Sequence, residues 1–114
     1  MTGREEHERF EDILEAIAAI RLHEEFRYAG ASSSLAVDAV KYQLIAIGEA
    51  VGEVSQASRD SQSSIPWSRI KGMRNLLTHR YHDIDPSIVW QVVDSHLAQL
   101  ETAVRELLAD QPRS

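Results

Sequence analysis

Eleven consecutive positions, Gly72-Met73-Arg74-Asn75-Leu76-Leu77-Thr78-His79-Arg80-Tyr81-His82, hold two arginines, two histidines, an amide and a tyrosine. The other segments of the chain alternate plainly between apolar and charged residues. Core-building accounts for Met73, Leu76 and Leu77, and leaves Arg74, His79 and Tyr81 unexplained. Arginine grips phosphate in a planar fork and stabilises the extra charge of a phosphoryl transition state. Histidine takes or gives a proton near neutral pH. RNA supplies its own nucleophile in the 2′-hydroxyl, so this set suits metal-free phosphodiester cleavage and needs no serine or cysteine. The sequence shows no carboxylate cluster at metal-ligand spacing.

Helical geometry restricts how these groups meet. Each residue advances about 100°, so Arg74 and Tyr81, seven apart, share a face, while His79 points about 140° away from Arg74. Arg74 and His79 converge in one subunit only if the helix bends or ends near Thr78. Otherwise they meet across the two-fold axis of a dimer, the arrangement favoured here. The structural alternatives are ordinary ones. Arg74 can cap carbonyls or pair with Asp83 or Asp85. His79 can be a partly buried structural histidine, and Tyr81 a packing residue with a wet hydroxyl. His7, His23, His82 and His96 read as structural.

Size and charge bound the function. At 114 residues the chain is expected to form one domain, residues 1–114, with a core that needs no staples. The absence of cysteine excludes disulfides, a thiol nucleophile and Cys-type zinc sites, and fits a cytoplasmic protein. No signal core and no run long enough to span a bilayer is visible, so no membrane partner is expected. With 18 acidic against 12 basic side chains the net charge is −6, unlike a general nucleic-acid coat protein. Any RNA contact must therefore be local, where Arg69, Lys71, Arg74 and Arg80 cluster. An acidic body also suits a basic partner protein.

The elements that would position the motif read as four helices. The first spans about Arg4–Tyr28, capped by Thr2, with Phe10, Ile13, Leu14, Ile17 and Ile20 as its stripe. Gly30–Ser34 reads as stop, loop and new cap. The second spans about Leu35–Ser58 on Val40, Leu44, Ile47, Val51 and Val54. Gly48 and Gly52 each cost it about 1 kcal/mol relative to alanine, which close approach of another backbone would justify. Glu49 between them reads as a solvated face residue. Ser58–Ser64 reads as a mobile loop, Ser64 as the cap of the third helix, and Pro66 as a residue of its first turn. Gly72 is a place where that helix can break. Asp85 caps the last helix with Pro86 at its first position, and Val89, Val93, Leu97, Leu100, Val104 and Leu107 form its stripe. Trp67 and Trp90 read as core anchors, Trp67 lying near enough the motif to stack a base. The fold class is all-α, an antiparallel four-helix bundle, with termini frayed over about 1–3 and 110–114; its leftover apolar area would be covered most simply by a second copy.

Ile65-Pro66-Trp67 followed by Ile70-Lys71-Gly72-Met73-Arg74-Asn75-Leu76-Leu77-Thr78-His79-Arg80-Tyr81 resembles the signature of the HepT-like toxins of the HEPN superfamily. That signature is R-x4-H-x-Y in a G-M-R-N context, here Arg74, His79 and Tyr81. Ile47-Gly48-Glu49-Ala50 is similar to the family's I-G-E-A block, and Asp83-Ile84-Asp85 with Val89-Trp90 to its downstream continuation. The similarity runs from about Phe10 to Leu107. It implies a homodimeric, all-helical ribonuclease with the R-x4-H groups of both subunits in an interface cleft. Arg74 would engage the scissile phosphate, His79 would act as acid or base, and Asn75 would shape the pocket. The resemblance further implies a cognate minimal nucleotidyltransferase antitoxin that adenylylates Tyr81, using ATP that the toxin itself does not require. Arg80 and His82 beside the tyrosine, and a Ser58–Ser64 loop short of prolines and charges, depart modestly from the family pattern. The competing expectation is a non-catalytic accessory subunit that binds nucleotide or the nucleotidyltransferase.

Overall fold

The computed structural model describes residues 3–110, and the cap expected at Thr2 and the fraying beyond Asp110 lie outside them. In chain order the helices are α1 (Gly3–His23), α2 (Ala31–Val51), α3 (Gln56–Ser61), α4 (Trp67–His79) and α5 (Pro86–Asp110), with a 3₁₀ turn at Glu24–Phe26. The described residues contain no strand. Four long helices form the bundle, as the apolar spacing requires, and α3 is a short addition. α2 packs against both α1 and α4, and α1 also packs against α5.

The expected stripes are the core. Phe10, Ile13, Ile17 and Ile20 of α1 meet Val40, Leu44, Ile47 and Val51 of α2, with Val54 just beyond it. Val89, Val93, Leu97, Leu100, Val104 and Leu107 of α5 close the other side, and Trp67, Ile70 and Leu77 come from α4. Each such side chain contributes about 1.5–3 kcal/mol when fully buried, so this cluster sets where the four long helices must lie, whereas α3 adds no buried residue to it. Leu76 breaks the pattern: it is 45% exposed and belongs to the outer face of α4 rather than to the core.

Helix ends follow local chemistry. α1 stops five residues before Tyr28, tightening into the 3₁₀ turn; Arg27 there grips Asp94 of α5 through two hydrogen bonds of 2.8 and 2.9 Å. Gly30 has φ +62°, a conformation that L side chains rarely adopt, and this is why α2 starts after a glycine. α2 ends at Val51, not at Ser58, with the guanidinium of Arg59 donating to its Val51 carbonyl. Ser58–Ser64 is not a loop throughout. Ser55 accepts from the Ser58 N–H at 3.2 Å and caps α3, while Glu6 of α1 accepts from the hydroxyls of Ser55 and Ser58.

α4 begins at Trp67 with no side-chain cap, so Ser64 does not cap it, and Pro66 lies just before its first residue. A tight turn replaces the cap: Ile65 N–H donates to Gln62 and Trp67 N–H to the Ile65 carbonyl. The helix runs unbroken through Gly72 to His79. Asp85 accepts from the Ser87 N–H at 2.9 Å and caps α5, with Pro86 its first residue as expected.

Candidate functional site

α4 carries the motif and α2 is the surface that it is built upon. Where the two cross, Gly48 faces Arg74: a Cβ on Gly48 would overlap the Arg74 Cβ and lie 2.9 Å from its Cγ. The glycine is therefore required by close approach, at the position where the sequence suggested it. Gly52 has no such neighbour, the nearest atom to its would-be Cβ being a carbonyl of its own helix at 3.4 Å.

Arg74 leaves the crossing half-exposed, with a neighbour on each arm of its fork. Nη1 donates to Asn75 Oδ1 at 2.7 Å, and Nη2 lies 3.6 Å from Glu49 Oε2 on α2. Its ion-pair partner is thus Glu49, not Asp83 or Asp85. Arg74 also forms one wall of an open groove of about 730 Å³ between α1 and α2, where Asp12, Glu15, Glu49 and Glu53 are prominent. Both arginines of this acidic groove face carboxylates, Arg9 lying 3.2 Å from Asp12 and Arg74 beside Glu49.

His79 is the last residue of α4 and exposed, and its side chain makes no hydrogen bond or ion pair among the described residues. Because the helix holds to this residue, His79 keeps its angular offset from Arg74 and the two do not converge within one chain. Thr78 lies between them and donates its hydroxyl back to the Arg74 carbonyl at 2.8 Å, an ordinary i−4 bond.

Beyond His79 the chain turns sharply, Arg80 N–H closing on the Leu76 carbonyl, and Tyr81 folds back onto α2. The Tyr81 hydroxyl donates to the Asp38 carbonyl at 2.9 Å. Burial, and secondarily the nearby charge of Asp38, push the Tyr81 pKa above the ordinary tyrosine value. Its hydroxyl is a protonated donor at neutral pH, and the bond that it makes lies at the exposed edge of the contact. The Lys41 Nζ donates to the Tyr81 carbonyl at 2.7 Å and lies 4.9 Å from the ring centroid. His82 meets the same ring edge-on at 5.4 Å.

Trp67 does not offer a stacking face. It is buried, and its indole N–H donates to the carbonyls of Arg59 and Gln62, tying α3 to the start of α4. Asp38, Lys41 and Glu49 are neighbours that reading the motif alone did not bring in. For Lys41 a signal was present: it precedes Leu44 and Gly48 by three and seven residues, on the stripe that faces α4.

An all-helical bundle that presents arginine, histidine and tyrosine from one helix and the turn after it defines the class of protein. The chain belongs to the Ribonuclease HepT-like family, whose model matches residues 10–107. Among curated proteins it is similar to "Putative RNase TTE0752" of Caldanaerobacter subterraneus subsp. tengcongensis, 37% identical over 62 residues, covering 54% of this chain and 55% of the relative. It is 32% identical over 69 residues to "Putative RNase MJ1380" of Methanocaldococcus jannaschii, covering 57% and 63% of the two chains. A further relative from that organism, "Gamma-glutamylcyclotransferase and putative RNase MJ0434", is 27% identical over 79 residues, 69% of this chain and 36% of its own length. The chain thus spans little more than half the length of the first of these relatives. No solved structure matches it. Among the described residues no helix is long and apolar enough to cross a membrane.

Proposed function

We propose that this protein is a metal-independent endoribonuclease, the toxin of a toxin–antitoxin pair, acting as a homodimer. Arg74 binds the scissile phosphate and stabilises its transition-state charge, His79 transfers the proton, and Asn75 holds one arm of the Arg74 fork. The observation that carries this reading is the pairing of an exposed, unpartnered His79 with a solvent-facing Arg74 on one helix of a HepT-like chain. Each group faces solvent, so in the proposed dimer a phosphate can meet Arg74 of one subunit and His79 of the other without any rearrangement of the core.

Tyr81 is the site at which a minimal nucleotidyltransferase antitoxin attaches AMP from ATP. An adenylyl group there adds bulk and negative charge next to the basic end of the motif, and so blocks and repels RNA. The second reading, an accessory subunit that only binds nucleotide or the nucleotidyltransferase, draws on the partners that Arg74 already has in Glu49 and Asn75.

Cleavage of RNA by the purified protein in the presence of a chelator, with Arg74→Ala and His79→Ala alongside, tests the proposal. Cleavage by the wild type and loss in both variants is expected. Cleavage that survives both substitutions overturns the site. An inactive wild type whose Tyr81 is unmodified by mass spectrometry overturns the activity and leaves the accessory subunit.

A further inference from the structure

Lys41 is the one buried charged residue among the described residues, 5% exposed in the middle of α2. Buried lysines are rare because desolvating an ammonium is expensive, and most of those that persist are paired with a carboxylate. Lys41 has no carboxylate within ion-pair distance among the described residues. What faces its ammonium is the turn after α4: the Tyr81 carbonyl at 2.7 Å and the face of the Tyr81 ring at 4.9 Å. One helical turn earlier on α2, the Asp38 carbonyl accepts from the Tyr81 hydroxyl at 2.9 Å.

We propose that Lys41 is a positioning residue of this site, pinning the Tyr81 backbone and ring to α2 and thereby fixing where His79 projects from the end of α4. Tyr81 is held at two points, its carbonyl by Lys41 and its hydroxyl by Asp38, and His79 lies two residues before it with no side-chain hydrogen bond or ion pair among the described residues. The last helical residue would otherwise fray, because nothing beyond it belongs to the helix. The bond from Lys41 therefore does for His79 what the Gly48 contact does for Arg74. Both anchors come from one helix, seven residues apart, and they meet motif residues that are themselves seven apart.

The role assigned to Lys41 rests on the catalytic reading of His79, and its test separates the two. Lys41→Met keeps the length and apolar stem while removing the donor and the charge; Lys41→Arg keeps both. In the full-length protein, Lys41→Met is expected to lower kcat for RNA cleavage about tenfold or more with KM within about twofold, since small misplacements of a reacting group are costly. Lys41→Arg should recover most of that loss. The C2 proton of His79, identified by its disappearance from the NMR spectrum of His79→Asn, should move in Lys41→Met and return toward its place in Lys41→Arg. A wild-type kcat in Lys41→Met, or a His79 resonance that does not move, overturns the proposal. If the wild type cleaves no RNA, the nuclease reading falls and the His79 resonance alone decides the role of Lys41. Should Lys41→Met fail to fold, Lys41→Gln, which stays polar but carries no charge and ends one atom short of the Nζ that reaches the Tyr81 carbonyl, carries the same two readouts.

Discussion

Gly48 and Arg74 touch backbone to side-chain root, so that the arginine leaves α4 at the point where α2 comes nearest to it. Alanine at position 48 gains about 1 kcal/mol of helix propensity, but its methyl overlaps a Cβ that no rotamer change can move, and overpacking of this kind costs about 1–3 kcal/mol. Gly48→Ala is therefore expected to lower the melting temperature and to displace Arg74, reducing RNA cleavage with it. Gly72→Ala is the control. Nothing lies within 4 Å of its would-be Cβ, so it should raise stability by about 0.5–1 kcal/mol. Thermal melts of both proteins check the pair of outcomes, and a Gly48→Ala protein as stable as the wild type would show that the helices part freely.

Glu49 would compete with a bound phosphate for the Arg74 fork, whose Nη2 it faces at 3.6 Å. Its carboxylate is 60% exposed and the arginine side chain 38%, and ion pairs in such surroundings contribute about 0–1 kcal/mol. Glu49→Gln should thus leave the melting temperature nearly unchanged while freeing Nη2 and removing a negative charge from the groove. The expected result is a KM for RNA several-fold lower at low salt, with the gain shrinking as salt screens the groove. A KM unchanged at low salt would mean that Glu49 and the phosphate do not share Arg74.

Tyr81 gives the fold an alkaline signature. Its folded pKa is raised, so between the ordinary tyrosine value of about 10 and the folded value the native state holds a proton that the unfolded chain releases. The stability contributed by Tyr81 is fully present below that window and is lost as pH rises through it. Tyr81→Phe should flatten the alkaline decline in stability. It should also remove the component of the tyrosinate absorbance change that titrates above the ordinary tyrosine range. A curve that loses amplitude only in the ordinary tyrosine range would show that Tyr81 is not buried against α2.

Much of this architecture was legible because apolar spacing is a strong signal. The stripes of α1, α2 and α5 could be buried in only one way, and Asp85-Pro86 marked the start of α5. The errors cluster where local hydrogen bonds decide. A serine-rich stretch reads as loop until Ser55 and Ser58 are found capping α3 and bonded to Glu6, a residue 49 positions away from Ser55. Gly72 reads as a break because glycine lowers helix propensity, yet the buried residues on either side of it, Ile70 and Leu77, hold α4 straight. The motif named Arg74, Asn75, His79 and Tyr81, but their supports lie on α2. Periodicity marked Gly48 as costly without saying what approached it. The spacing of Lys41 to Leu44 and Gly48 placed it on the stripe facing α4, but did not show that Tyr81 would cover it.

The continuity of α4 bears directly on how the two catalytic candidates meet. Over the five residues from Arg74 to His79 an unbroken helix advances about 7.5 Å and rotates about 140°, too far for both groups to grip one phosphate from the same chain. In the homodimer proposed here, each site takes Arg74 from one subunit and His79 from the other. Arg74→Ala and His79→Ala should each be inactive alone, but a mixed dimer would contain one site with both residues intact. Unfolding the two variants together and refolding them at equal concentration makes half the dimers mixed, each with one good site of two. Activity should return to about a quarter of the wild-type level. Recovery to that level, measured as chelator-resistant RNA cleavage, is the expected result. A mixture as inactive as its components, in a sample whose subunits have demonstrably exchanged, would mean that α4 bends on binding RNA and that each chain builds its own site.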